Sequence, residues 1–143
     1  MTDALRLGFV CVQNAGRSQM ATAFAEELRA ERGLTDRVDV VTGGTDPTEE
    51  IHPVVVDAMA EVGVDLSDRE PRAVTSDELD ACDVVATMGC STLTLDASTE
   101  ERDWALPDPH GRDIDEVRDI RETVRERVAA LFDDVVGKSS ART

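Results

Sequence analysis

Five residues separate Cys11 from Arg17 in the stretch CVQNAGR, which follows an apolar run and precedes an amphipathic one. A thiol and a guanidinium at that spacing suit one chemistry in particular, the attack of sulfur on a tetrahedral oxyanion. The backbone N–H groups of Val12, Gln13, Asn14, Ala15 and Gly16 can converge on one point. A helix beginning at Arg17 aims its own unpaired N–H groups and positive dipole end there as well. Arg17 adds a planar, permanently charged fork for two oxygens of the anion. The same positive field favours a thiolate at Cys11, and Ser18 is placed to donate a further hydrogen bond to the sulfur. Asn14 and Gly16 tolerate the unusual backbone angles of a tight loop. Spacing alone would also describe a buried cysteine beside an unrelated surface arginine; the strand before it and the helix after it give the pattern its meaning.

A second group of interest is Asp108, in PDPHG at 107–111. A carboxyl at the same end of the molecule can act as general acid for a leaving group, although Pro-Asp-Pro is also ordinary turn chemistry. The three cysteines, Cys11, Cys82 and Cys90, form no CxxC and no metal-ligand spacing, so no metal is expected. An odd, sparse set in a chain lacking a signal peptide's basic start fits reduced thiols in the cytoplasm. His52, opening a helix, and His110, in a turn, read as bystanders. Thr45 and Asp46 read as braces for the loop.

These side chains need a scaffold. Residues 5–12 form a short buried strand, and Met20, Phe24 and Leu28 mark the apolar stripe of a helix from Arg17 to about Gly33. A second strand covers 37–42, a helix 52–63, a capped helical turn 76–79, a third strand 82–89 and a fourth 103–106. The last helix is marked by Val117, Ile120, Val124, Val128, Leu131 and Val135. Unbroken apolar strands alternating with helices indicate a parallel α/β sheet covered on both faces, with ligands bound beyond the carboxyl ends of the strands. Cys11 and Cys90 lie at that end. Cys82 opens the third strand, which places it more than about 20 Å away at ~3.3 Å per residue.

The 143 residues make a single domain, 1–143. Fifteen basic residues against 31 acidic give a net charge of −16, and Lys138 is the one lysine. Such a surface repels nucleic acid and anionic membrane, and it fits a halophilic protein that stays soluble at high salt. No stretch approaches the ~18 apolar residues of a membrane span.

The segment CVQNAGRSQM at 11–20 resembles the phosphate-binding loop of the low-molecular-weight tyrosine phosphatase superfamily, and more closely that of the arsenate reductases sharing that fold. GGTDP at 43–47, HPVVVDAMAEVGVDLSD at 52–68, VVATMGC at 84–90 and WALPDPHG at 104–111 extend the likeness over nearly the whole chain. The resemblance implies a three-layer α/β/α fold around four parallel strands, with Cys11 as nucleophile, Arg17 as oxyanion ligand and Asp108 as acid. RSQM is reductase-like, since the phosphatases usually carry proline after the Arg-Ser pair. Two departures stand out. Thioredoxin-coupled reductases usually have a cysteine pair after the third strand, whereas Cys90 here has no second cysteine in the STLTLDAS that follows. Family members often place a glutamate where this chain has Ala21-Thr22, which puts their potassium site in doubt.

The expected activity is arsenate reduction: Cys11 attacks arsenate, and a second thiol, Cys90 or an external one, resolves the adduct and releases arsenite. Phosphate would bind as a competitor. No bound cofactor is implied, and the reductant is a thioredoxin-like protein or a low-molecular-weight thiol. The alternatives are a tyrosine phosphatase with Asp108 as general acid, and a non-catalytic oxyanion-binding or thiol-sensing protein. Phosphatases of this fold flank the aspartate with tyrosines, and this chain has none. Only Trp104 is placed to line the mouth, unless it is core.

Overall fold

Along the central strand β1, Leu5–Cys11, successive side chains point to opposite faces of the sheet. One face receives Leu7, Phe9 and Cys11; the other receives Gly8 and Val10. The computed structural model describes residues 5–88, 100–104, 106, 109 and 111–137, with backbone alone at 136 and 137. β1 pairs in parallel with β2, Val38–Gly44, in a register that sets Cys11 opposite Gly44. Its other edge pairs in parallel with β3, Val84–Met88, where Cys11 faces Met88. β4, Glu100–Asp103, adds in parallel to β3, giving the order β2-β1-β3-β4. Strand order therefore reverses at β1, and Cys11 ends that strand at its carboxyl end, where such sheets bind ligands.

Helix α1, Arg17–Glu31, follows β1 directly; α2 is Pro53–Ala60, α3 is Ser76–Asp80 and α4 is Ile114–Phe132. Their ends follow local chemistry. Pro53 opens α2. Thr75 and Glu78 cap α3 reciprocally, and the Asp113 carboxylate caps α4 by accepting from the Glu116 N–H at 2.9 Å. Val117, Ile120, Val124, Val128 and Leu131 form the buried stripe of α4, which ends in a π-helical turn at Asp133–Gly137. With Leu7, Phe9, Met20, Phe24, Met59 and Phe132 they build the larger core. Full burial of each such side chain contributes about 1.5–3 kcal/mol. Val10, Leu79, Cys82 and Val85 form a smaller core on the opposite face.

Two expectations need correction. The fourth strand lies at Glu100–Asp103, not at 103–106. An edge strand of four charged residues has no apolar signature, and charge there guards the open edge against pairing with another chain. The apolar residues that follow belong to the core: Trp104 is buried and packs tilted on Phe9, ring centroids 6.0 Å apart. Cys82 is also nearer the loop than expected. It precedes β3 and packs across Gly8, where an added Cβ would come within 3.1 Å of its sulfur. Gly8 is three strand residues, or about 10 Å, from Cys11. The sheet still separates the two thiols, because Gly8 and Cys11 face opposite sides.

Candidate active site

The loop after Cys11 is held by its carbonyls. Cys11 O accepts from the Thr45 N–H at 3.2 Å, Val12 O from Asp46 at 2.8 Å, Gln13 O from Thr48 at 3.2 Å and Ala15 O from His52 at 3.0 Å. In a planar trans peptide, C=O and the next N–H point in opposite directions. Carbonyls tied outwards therefore turn the amides of Val12, Gln13, Asn14 and Gly16 inwards. The Asn14 N–H donates to Cys11 Sγ at 3.2 Å. Among the described residues, the amides of Val12, Gln13 and Gly16 have no acceptor. Gly16 caps α1 without a side chain, so the positive end of that helix opens onto the same space.

Asn14 is the pivot. It is fully buried, and its φ of 52° lies in the left-handed region that asparagine tolerates. Its Nδ2 donates to Ser18 Oγ at 2.7 Å and Thr42 Oγ1 at 2.9 Å. Its Oδ1 accepts from Gln19 Nε2 and from the Arg72 N–H, both at 3.0 Å. Ser18 Oγ lies 2.9 Å from Cys11 Sγ, and with sulfur as thiolate the hydroxyl is the donor. Arg17 is buried and donates from Nη1 to Leu106 O at 2.9 Å. Among the described residues it joins no ion pair, leaving the rest of its fork available to an anion.

Two glycines let the surrounding segments close on this loop. A Cβ on Gly44 would sit 2.5 Å from Val12 O and 3.0 Å from the Asn14 nitrogen. A Cβ on Gly16 would sit 2.6 Å from Pro109 Cγ. The segment carrying Leu106 and Pro109 therefore packs directly against the loop and holds its arginine.

The structure thus gathers Cys11, Val12, Gln13, Asn14, Ala15, Gly16, Arg17 and Ser18 at one point. Cys90, Asp108 and His110 lie outside the described residues. Cys82 stands apart: its Sγ donates to Glu78 O at 3.3 Å, and burial pushes the thiol up to about 11. His52 corrects the bystander reading, because its Nε2 meets Gln13 Oε1 at 3.1 Å while its backbone N–H holds Ala15. Sequence reasoning also missed Thr42, Gln19 and Arg72. Thr42 and Arg72 are 28 and 58 residues from Asn14, and no local pattern joins them. Gln19 carries a local signal, as the third residue of a helix that begins at Arg17.

The residues do not fit the potassium site that the resemblance raised. In the Ala21-Thr22 pair that the resemblance singled out, the Thr22 hydroxyl donates to Ser18 O at 2.7 Å. The Asn14 oxygens already accept N–H donors.

A buried thiol, inward amides, a helix start and an arginine make a cradle that can bind a tetrahedral oxyanion and present sulfur to its central atom. The family model for low molecular weight phosphotyrosine protein phosphatase matches residues 6–141. A Halobacterium salinarum protein provisionally named an arsenate reductase is 58% identical over 130 residues, covering 90% of this chain and 92% of its own. The glutaredoxin arsenate reductase of Synechocystis is 35% identical over 128 residues, 87% of this chain and 93% of that one. The solved thioredoxin-dependent arsenate reductase of Corynebacterium glutamicum superposes with a TM-score of 0.77 at 33% identity. That superposition covers 92% of this chain and 62% of the other, so this chain spans under two thirds of that structure's length.

Proposed function

This chain belongs to the low molecular weight phosphotyrosine protein phosphatase family, and from that premise we propose that it reduces arsenate to arsenite. The observation that carries the reading is the sulfur of Cys11, which meets the Asn14 amide at 3.2 Å and the Ser18 hydroxyl at 2.9 Å at the foot of the amide cradle. The names of the relatives supply the choice of oxyanion.

Arsenate enters the cradle, with its oxygens on the amides and on the Arg17 guanidinium. The Cys11 thiolate attacks arsenic(V); an S–As bond forms, and one arsenate oxygen leaves as water once protonated. Asp108 is assigned as the acid. In sequence it lies between Leu106, which holds Arg17, and Pro109, which presses on Gly16. A second thiol then attacks Cys11 Sγ. An S–S bond forms, the S–As bond breaks, and its electron pair stays on arsenic, which departs as arsenite. Two thiols lose two electrons and arsenic gains them. Cys90 is assigned as that thiol, because the chain reaches it two residues after Met88, the partner of Cys11 across the ladder. A thioredoxin- or glutaredoxin-like protein, or a small thiol, returns the disulfide to two thiols.

The phosphatase reading shares the first attack and then needs water and an ester. Trp104 is buried against Phe9, so it does not line the mouth as a wall for an aryl ring. The deciding experiment supplies arsenate with thioredoxin, glutaredoxin or a small thiol and follows arsenite, beside an aryl phosphate assay in the same salt. Cys11→Ser is expected to abolish all turnover, and Cys90→Ser arsenate reduction alone. Aryl phosphate hydrolysis without arsenite overturns the reductase, and absence of turnover on both leaves an oxyanion-binding protein. Full arsenate reduction by Cys90→Ser moves the resolving thiol outside the chain.

A further inference from the structure

We infer that nitrogen donors of this chain, chiefly the Gln19 side-chain amide, hold the oxyanion loop in place of a monovalent cation, so that anion binding is independent of which such cation is in solution. The inference rests on the reading of this loop as an oxyanion site. The oxygens around the pivot Asn14 are of the kind a hard cation takes as ligands, and N–H or O–H donors fill them. Gln19 Nε2 donates to Asn14 Oδ1 at 3.0 Å and to Asn14 O at 3.2 Å, and the Arg72 N–H adds a second donor to Oδ1 at 3.0 Å. Asn14 Nδ2 occupies Ser18 Oγ and Thr42 Oγ1, Arg72 Nη1 donates to Thr42 O at 2.6 Å, and the Thr22 hydroxyl donates to Ser18 O. A cation entering here would have to displace these donors and would meet the Arg72 guanidinium.

Gln19 shows which demand dominates. It is 1% exposed, and its Nε2 faces three acceptors, Asn14 Oδ1, Asn14 O and, at 3.5 Å, Glu70 O. Those acceptors fix the amide's orientation and leave Oε1 as the one described buried side-chain N or O atom with no hydrogen-bond partner. Stranding a buried acceptor is costly. Turning the amide over would face that oxygen towards three others, which is worse. The site therefore selects a donor at this point, and a lone amide oxygen does not make up the several ligands a cation needs. Gln19 is accordingly a positioning residue that acts through Asn14.

The test uses the full chain carrying Cys11→Ser, which cannot turn over, and measures sulfate binding by calorimetry in equal concentrations of potassium, sodium and choline chloride. With Gln19 present, affinities are expected to agree within about twofold across the three salts. Gln19→Glu sets a carboxylate among those oxygens; affinity should fall about tenfold or more in choline and return to within about threefold in potassium, the loss matching buried acceptors left without their donor. Gln19→Leu fills the space without donating, so the fall should be similar in every salt. Melting temperatures taken alongside separate unfolding from lost positioning, and a Gln19→Glu chain that folds only with potassium supports the inference as well. Potassium-dependent tightening beyond about fivefold with Gln19 in place, or Gln19→Leu binding sulfate as its parent does, overturns the brace while leaving the site intact. No sulfate binding in any salt overturns the oxyanion site and the brace with it.

Discussion

Two thiols of this chain, Cys11 and Cys82, meet opposite environments. Cys11 Sγ lies among donors, the Asn14 amide and the Ser18 hydroxyl, beside a helix start and Arg17. Cys82 sits in the smaller core, where loss of hydration raises its pKa to about 11 and so keeps it a neutral thiol through the physiological range. Iodoacetamide at pH 7 should therefore label Cys11 and spare Cys82, as peptide mass spectrometry would show, and sulfate should protect Cys11. Equal labelling of both would contradict the assigned environments. Asn14→Ala should be costly in its own right, because Ser18, Thr42, Gln19 and the Arg72 amide each lose a buried partner. At about 1–3 kcal/mol per stranded group, offset by relaxation, a loss of about 2–4 kcal/mol is expected in urea unfolding.

Elements meet at the loop through close backbone contact, and Gly44 is the point of closest approach between the end of β2 and the loop. Gly44→Ala would drive a methyl into Val12 O and the Asn14 nitrogen. Since packed backbone yields little, sulfate affinity should drop by about tenfold or more, at a stability cost of about 1–3 kcal/mol. Wild-type affinity in that variant would show that the loop is held more loosely than its hydrogen bonds indicate. Farther from the site, Glu61 just after α2 joins that helix to α4 through Arg118 and Arg121, at 2.6 and 2.8 Å. The two guanidinium hydrogen bonds lower the Glu61 carboxyl from 4.5 to about 2. The group is depressed in the folded state, so its contribution is complete above pH 4.5 and fades as pH falls towards 2. The difference in urea midpoint between Glu61→Gln and the parent should then shrink by about half between pH 6 and pH 3. A constant difference would show that the pair is not coupled to folding. The pair is exposed, so salt should diminish the effect.

For the whole molecule the dominant quantity is a net charge of −16 on 143 residues. The described ion pairs are mostly exposed, each worth about 0–1 kcal/mol, and salt weakens them. Salt also screens the far more numerous repulsions among 31 acidic groups, with a Debye length falling from ~10 Å at 0.1 M to ~3 Å at 1 M. Repulsion should win, so the melting temperature is expected to rise as potassium chloride goes from 0.1 M to 2 M, read by calorimetry or circular dichroism. A flat or falling curve would mean that local pairing outweighs the excess charge. Among the described residues, no helix is long and apolar enough to cross a membrane.

Local pattern carried the nucleophilic loop. The spacing of Cys11 to Arg17 and the apolar periods of β1, α1 and α4 are short-range features, and short-range features are written along the chain. The parallel sheet followed from the same periods, since strands buried on both faces must read as apolar runs. β4 escaped because an edge strand of Glu, Glu, Arg and Asp carries no such run. Cys82 lies nearer than the ~20 Å that length along one strand predicts, because contact across neighbouring strands decides distance. Thr42, His52 and Arg72 could not be read in advance. Strand register and the return of the chain past β2 bring them to Asn14 and its neighbours, and contacts between residues tens of positions apart leave no periodic trace in a single sequence. Sequence alone thus determined which sulfur stands at the strand end and in what kind of loop; the tertiary structure alone decided what holds that loop still, because only folding sets distant hydrogen-bond donors against its pivot.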